Sequence, residues 1–266
     1  MARDGLAIAR GWACGRVGGK EGWTCEGGRR QHPARMKVTY YGHSCFGVEV
    51  AGRHLLFDPF ISPNEKASGV RMEDVAADYV LLSHGHFDHV ADVAAVALRT
   101  GAMVVGCYEV IEWVKKQGVS ADRVHAMNAG GAFGFEFGRV KFVSAIHSST
   151  LPDGSPGGCP GGFVVESARE EEGSFYYSGD TALTLDMQLI GEANRLRFAA
   201  LCIGDNFTMG IADAVRAAGL VRCGRVLGVH YDTWPILEID HAAAKAAFHA
   251  AGCELHLPPI GGTLEL

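Results

Sequence analysis

Short apolar runs that end on a polar or ionisable residue set the rhythm of this chain. Residues 79–82 (Tyr-Val-Leu-Leu) form an unbroken apolar run that stops at Ser83-His84. Such a run, bounded this tightly, predicts a short buried strand. Residues 141–146 run apolar-rich up to His147, residues 175–179 up to Asp180, and residues 225–229 up to His230. Further strands are predicted at 37–41, 46–50, 54–57, 103–105, 163–166, 198–203 and 254–257. Between them, helices are predicted over 90–99, 108–117, 184–191, 212–218 and 241–251. Gly101 stops the first helix, and the last is bracketed by Asp240 as N-cap and Gly252 as a C-terminal stop. Strands alternating with helices predict an α/β fold.

The apolar runs acquire meaning from where they end. The segment Ser83-His84-Gly85-His86-Phe87-Asp88-His89 places His84, His86, Asp88 and His89 on a predicted strand-to-helix turn. Imidazole and carboxylate suit zinc, manganese or iron. Four such groups are more than one tetrahedral ion takes from a single loop, so two adjacent ions are expected. The alternative is a solvated His-rich loop that binds metal adventitiously. The recurrence of His or Asp at three further strand ends argues against it, because functional sites in layered α/β proteins gather at the carboxyl ends of strands.

On these residues the chain resembles the metallo-β-lactamase fold: His84-X-His86-X-Asp88-His89, then His147, Asp180 and His230. More narrowly, Tyr41-Gly42-His43-Ser44, Asp58-Pro59-Phe60, Gly179-Asp180-Thr181 and Gly204-Asp205-Asn206-Phe207-Thr208-Met209-Gly210 resemble a group of small metal-dependent hydrolases related to ascorbate-6-phosphate lactonase. The resemblance spans residues 36–266. It implies an αββα sandwich of two mixed β-sheets flanked by helices. It implies that His84, His86 and His147 hold one metal, that Asp88, His89 and His230 hold a second, and that Asp180 bridges them. Zinc and manganese rank ahead of iron or nickel. Ile211 stands where the group often has Pro, a departure confined to a loop rim.

Two neighbouring cations, about 3.5–4 Å apart in such sites, bring the pKa of water down to ~7 and polarise a substrate oxygen. The expected reaction is therefore hydrolysis by metal-bound hydroxide of an ester, lactone or phosphodiester in a small molecule, with Asp180 catalytic and no Ser or Cys nucleophile. The alternatives are a di-iron redox protein of the same fold, which would need an electron-delivering flavin partner, and an inactive metal-binding scaffold. His43 and Asp58 also end apolar runs. Asp58 is suited to accept the second N–H of a ligating histidine, and His43 to do the same work or to touch substrate. Asp205 and Asn206 either line the pocket or make local turn bonds.

Composition narrows the setting. Of 266 residues, 48% are apolar, enough for one sizeable core. Residues 1–35 differ: eight Gly, and seven Lys or Arg against three acidic residues. They read as a loosely ordered leader, with Met36 the alternative start of a single metallo-hydrolase domain over 36–266. The remainder has 17 basic and 27 acidic residues, a balance of −10 that disfavours a nucleic-acid backbone as partner. No apolar run is long enough to span a membrane. The eight Cys form no Cys-X-X-Cys pair; a disulfide framework is the alternative, but no apolar stretch of signal-peptide length is found, so reduced thiols and a cytoplasmic location are expected. A homo-oligomer is compatible with all of this. Cys202 is expected in the core, and Cys159 is the candidate reactive thiol. His32, His54, His125, His241, His249 and His256 lack partners at ligand spacing. Gly157, Gly158, Gly161 and Gly162 read as a mobile loop beside His147 that could cover the site.

Overall fold

The computed structural model describes residues 35–266, so the leader expected over 1–35 lies outside the described residues except for Arg35.

Two seven-stranded sheets face each other. In the first, β1 (Lys37–Gly42), β2 (Cys45–Val50) and β3 (Arg53–Phe57) run antiparallel, and β3, β4 (Tyr79–Leu82), β5 (Met103–Cys107) and β6 (Val124–Met127) run parallel. The second repeats the plan: β7 (Ala132–Phe135), β8 (Gly138–Ser144), β9 (Gly161–Ser167) and β10 (Ser174–Tyr177) are antiparallel, and β10, β11 (Leu196–Cys202), β12 (Arg225–Val229) and β13 (Glu254–His256) are parallel. A C-terminal strand, β14 (Thr263–Glu265), pairs with β1 and closes the first sheet. Helices α1 (Phe87–Val90), α2 (Val93–Thr100) and α3 (Tyr108–Lys116) follow strands of the first sheet, and α2 and α3 pack on it. Helices α4 (Asp186–Ala193), α5 (Ile211–Leu220) and α6 (His241–Ala250) cover the second. The αββα sandwich expected from the sequence is what the chain forms.

The sheets are joined by aromatic packing. Phe57 of β3 stacks on Phe46 at 4.6 Å and meets Phe175 at 5.8 Å and Tyr177 at 5.5 Å across the interface. All four are fully buried, so this layer combines a large apolar area with edge-to-face geometry.

Several boundaries differ from expectation. The helix predicted over 90–99 is two helices, broken at Ala91-Asp92, because the Asp92 carboxylate leaves the helix to accept from the backbone N–H of Ile61 (2.6 Å) and Ser62 (2.9 Å). Asp88 and His89 consequently stand in the first turn of α1 rather than on a turn before it. Strands β8 and β10 end at Ser144 and Tyr177, each with a two-residue link before His147 and Asp180. Strands β6, β7 and β14 went unpredicted. β7 is an exposed Ala-Phe-Gly-Phe edge without alternation, and β14 has three residues.

Of the glycine-rich segment, Gly161 and Gly162 belong to β9 and are closely packed, while Gly157 and Gly158 lie in the loop before it. Gly161 and Gly162 begin β9, and Gly161 N–H donates to the Ser83 carbonyl at 3.0 Å, linking the two sheets. A Cβ on Gly162 would lie 2.3 Å from the Tyr177 carbonyl oxygen and 2.8 Å from that of Ser178. Gly162→Ala must displace the β9–β10 pairing and is expected to cost about 1–3 kcal/mol. Gly134→Ala, in a strand where the added methyl meets nothing within 4 Å, is the control. Urea midpoints at unchanged m-value would check the difference.

Candidate metal centre

Direction of the strands explains the convergence. β1, β3 and β4 run the same way in the first sheet, as do β8, β10 and β12 in the second. The carboxyl ends of all six point to one end of the sandwich. There the chain places His43, Asp58, His84, His147, Asp180 and His230, and α1 adds Asp88 and His89. The seam between the sheets is hydrogen-bonded at this end: His230 N–H donates to the His43 carbonyl at 2.9 Å. His43, Asp58 and His230 adopt left-handed backbone conformations (φ 54°, 42° and 58°). Such conformations are costly in residues other than glycine and concentrate at functional sites.

The seven expected ligands and both supporting residues come together. His84, His86 and His147 form one trio whose ring nitrogens lie within 4.8 Å of one another. His43, Asp88, His89 and His230 form a second group by the same measure. Asp180 stands between: its Oδ2 is 2.9 Å from His230 Nε2, 3.2 Å from His89 Nε2 and 3.7 Å from His147 Nε2. His84, His89, Asp180 and His230 are buried, and His86, Asp88 and His147 are part-exposed and form the open side.

Asp58 is the hub beneath the cage. Its carboxylate accepts from Ser83 N–H (2.8 Å), Ser83 Oγ (2.5 Å), Tyr177 OH (2.6 Å) and His89 Nδ1 (2.7 Å). A proton held on His89 Nδ1 leaves the Nε2 lone pair facing inward. Because Ser83 Oγ spends its proton on Asp58, it accepts from His84 Nδ1 at 3.0 Å, which turns the His84 Nε2 lone pair inward as well. One carboxylate therefore fixes two imidazole tautomers. His43 Nε2 lies 2.9 Å from Asp88 Oδ2, and its Nδ1 lies 2.7 Å from Thr233 Oγ1. Burial pushes the His43 pKa down to about 4, so the ring is neutral near pH 7 and donates to Asp88.

The cage is electrostatically frustrated without a cation. Burial holds His84 well below its ordinary pKa. Burial opposes charge on His89 too, but Asp180, Asp58 and Asp88 outweigh it and raise its pKa. For Asp180 burial is likewise outweighed, by His230 and His89, and its pKa is lowered. His84 Nε2 and His86 Nδ1 approach to 2.9 Å. His230 Nδ1 and Asp180 Oδ1 are buried without a hydrogen-bond partner, and buried His89 Nε2 faces only carboxylates, Asp180 at 3.2 Å and Asp88 at 3.7 Å. Orphaned atoms of this kind need an explanation. Nitrogen and carboxylate donors converging on one space fit divalent transition metals.

Ser83, Tyr177 and Thr233 were not picked out from the sequence. Ser83 lay inside the histidine motif, but Tyr177 reads as a core aromatic and Thr233 carries no local signal. Asp205 and Asn206 serve the turn: Asn206 N–H donates to Asp205 Oδ1 at 2.8 Å, and both have left-handed backbones. The described cysteines are free thiols, with Cys202 buried and Cys159 exposed. Among the described residues no helix is long and apolar enough to cross a membrane.

A family model described as a beta-lactamase superfamily domain matches residues 53–231. A UPF0173 metal-dependent hydrolase of Methylacidiphilum infernorum is 50% identical over 213 residues, covering 80% of this chain and 92% of the relative. One from Christiangramia forsetii is 47% identical over 232 residues, covering 87% of this chain and 100% of the relative. Among solved structures, Igni18, a metallo hydrolase of the hyperthermophilic archaeon Ignicoccus hospitalis, aligns with a TM-score of 0.78 at 29% identity, over 88% of this chain and 99% of that one.

Proposed function

This chain belongs to the β-lactamase superfamily, among the UPF0173 metal-dependent hydrolases, and from that premise we propose that it holds two divalent cations side by side and cleaves an ester, lactone or phosphodiester bond in a small molecule. His84, His86 and His147 would hold one ion and Asp88, His89 and His230 the other, with Asp180 shared. The observation that carries the reading is the convergence of buried imidazoles on one buried carboxylate: Asp180 Oδ2 lies 2.9 Å from His230 Nε2 and 3.2 Å from His89 Nε2, while Asp180 Oδ1 has no hydrogen-bond partner. Zinc or manganese fits a donor set of imidazole and carboxylate with no thiolate.

Bound there, the cations supply Lewis acidity toward a substrate oxygen and lower the pKa of water, so no side-chain nucleophile is required. The chain's own contribution is positional. Asp58 holds the proton on His89 Nδ1, and through Ser83 the one on His84 Nδ1, so that both rings present Nε2. His43 donates from Nε2 to Asp88 and keeps that carboxylate in place at the open side. Asp180 Oδ1, free of protein partners, can accept a proton as a bond to the carbonyl carbon or phosphorus forms. The net acidity of residues 36–266 favours small molecules over nucleic acids as substrates.

Elemental analysis of purified protein, paired with a panel of esters, lactones and phosphodiesters, tests the reading. Two equivalents of zinc or manganese per chain are expected, with hydrolysis abolished by chelation and restored by either ion. Iron with visible absorption bands and no hydrolysis on the panel would move the protein to the redox class. A single equivalent in fully active protein would remove the dinuclear assignment.

A further inference from the structure

Beside the second group of candidate ligands the surface carries aromatic rings that the chemistry above does not use. Phe87, the first residue of α1, is 53% exposed, and Trp234 is 40% exposed. Between them stands Phe60, 2% exposed. The Phe60 ring meets Phe87 at 5.8 Å and 76°, and Trp234 at 6.1 Å and 49°. His43 joins the group, 5.5 Å from Phe60 and 5.2 Å from Trp234, and its ring lies 4.1 Å from that of His230. The rings therefore form a contiguous aromatic corner, with Phe60 buried and Phe87 and Trp234 exposed, that reaches His43 beside the second group of candidate ligands. Large apolar side chains left adjacent to a functional site mark a place where something apolar binds.

The corner is held in shape from both sides. Phe87 is fixed by the helix that also carries Asp88 and His89. Trp234 is followed by Pro235, which opens a short helical turn, and Asp232 N–H donates to the Leu237 carbonyl at 2.9 Å across it. A site already shaped loses less entropy on binding.

Charge narrows the class of ligand. Among the described residues the cage carboxylates Asp58, Asp88 and Asp180 pair only with histidines, no Lys or Arg stands within ion-pair distance of them, and Lys66 shares a cavity with His43 and Thr233 rather than with Phe60, Phe87 or Trp234. A phosphate or carboxylate tail would call for a guanidinium fork or an ammonium. Flat apolar groups, in contrast, stack or meet edge-on with such rings at these separations.

We propose that the corner formed by Phe60, Phe87 and Trp234 receives the neutral aryl group of the substrate, so that the hydrolysed molecule is an uncharged aryl-bearing ester or lactone. The assignment rests on the hydrolase reading of the cage for its chemistry, but the corner's binding property is separable from it. Binding is measured first, on the protein as purified, with 3-phenylpropionamide as probe and propionamide as the ring-less control, by calorimetry. Metal-loaded protein is then assayed with dihydrocoumarin and with δ-valerolactone, each variant being compared with the wild type on the same substrate so that intrinsic reactivity cancels. Phe87→Ala and Trp234→Ala should each weaken the aryl amide about tenfold, while Trp234→Phe stays within about twofold. The same Ala variants should raise KM for dihydrocoumarin about tenfold more than KM for δ-valerolactone. If the aryl amide binds no better than propionamide, or both Ala variants bind it as the wild type does, the corner is not an aryl site. Equal losses on the two lactones would overturn it as well. If neither lactone is hydrolysed yet the amide binds with this dependence on Phe87 and Trp234, the corner stands and the ester and lactone part of the functional reading falls. Circular dichroism confirms that each variant is folded, and Phe87→Ala with Trp234→Phe decides the question should Trp234→Ala not fold.

Discussion

Replacing Asp180 with Ala is expected to lower turnover about 10³-fold and to deplete metal from both positions of the cage. Asp180 Oδ2 lies within 3.7 Å of three histidines drawn from β8, α1 and β12, and Oδ1 is the one buried carboxylate oxygen of the cage left without a partner. Removing it takes a shared anionic donor from between two groups of imidazoles. Two cations would then face one another across a gap with no charge to offset their repulsion. Asp88→Ala should behave differently, emptying mainly the position it shares with His89 and His230. Elemental analysis after equilibrium dialysis, alongside kcat on the best panel substrate, separates the two variants. Should Asp180→Ala retain two ions at undiminished affinity, the shared role assigned to this carboxylate is wrong.

Asp58→Asn is expected to act on both stability and metal. Four donors converge on this buried carboxylate. An amide replaces one acceptor oxygen with an NH2 group that faces donors, and it removes the charge that pairs with His89. Disrupting one member of such a buried set costs about 3–5 kcal/mol, which urea unfolding of metal-free protein would register. Loss of the fixed His89 and His84 tautomers should further weaken metal binding about 10–100-fold, read by competition with a chromophoric chelator. Tyr177→Phe removes one donor and leaves the carboxylate, so it should reduce stability by only about 1 kcal/mol and leave metal affinity near the wild type. An Asp58→Asn protein that binds metal as well as the wild type would show that the carboxylate serves packing alone.

Much of this arrangement was legible in the sequence because it is written in strand ends. A strand that stops at an ionisable residue is visible as an apolar run with a fixed terminus, and His230 follows β12 at the residue anticipated. The residues that converge at the candidate site, His43 and Asp58 among them, were singled out in that way, through the histidine motif and the resemblance it carried. What escaped were features set by the other chain segment in a contact. Tyr177 sits in an apolar run like any core aromatic, and only the position of β3 shows that its hydroxyl reaches Asp58. The break between α1 and α2 is invisible locally, since it arises from Asp92 bonding to a loop thirty residues earlier. That Gly161 and Gly162 begin a strand instead of continuing a loop was hidden for the same reason. Their lack of side chains answers the backbone of β10, and nothing in a Gly-Gly pair distinguishes close packing from freedom. Nothing in the sequence links Phe87 with Trp234, far apart along the chain; they are related only through the Phe60 ring that both meet.

The crossing of the inter-sheet seam by the histidine cage has a consequence for how this protein survives heat. His84 and His89 belong to one half of the sandwich, and His147, Asp180 and His230 to the other. An ion gripped by both cannot be retained once the halves part, so acquiring it and resisting denaturation become the same equilibrium. On the two-ion reading proposed above, a hundredfold excess of free ion over its dissociation constant would add about 2.7 kcal/mol per site, and the melting temperature would then follow the supply of that ion.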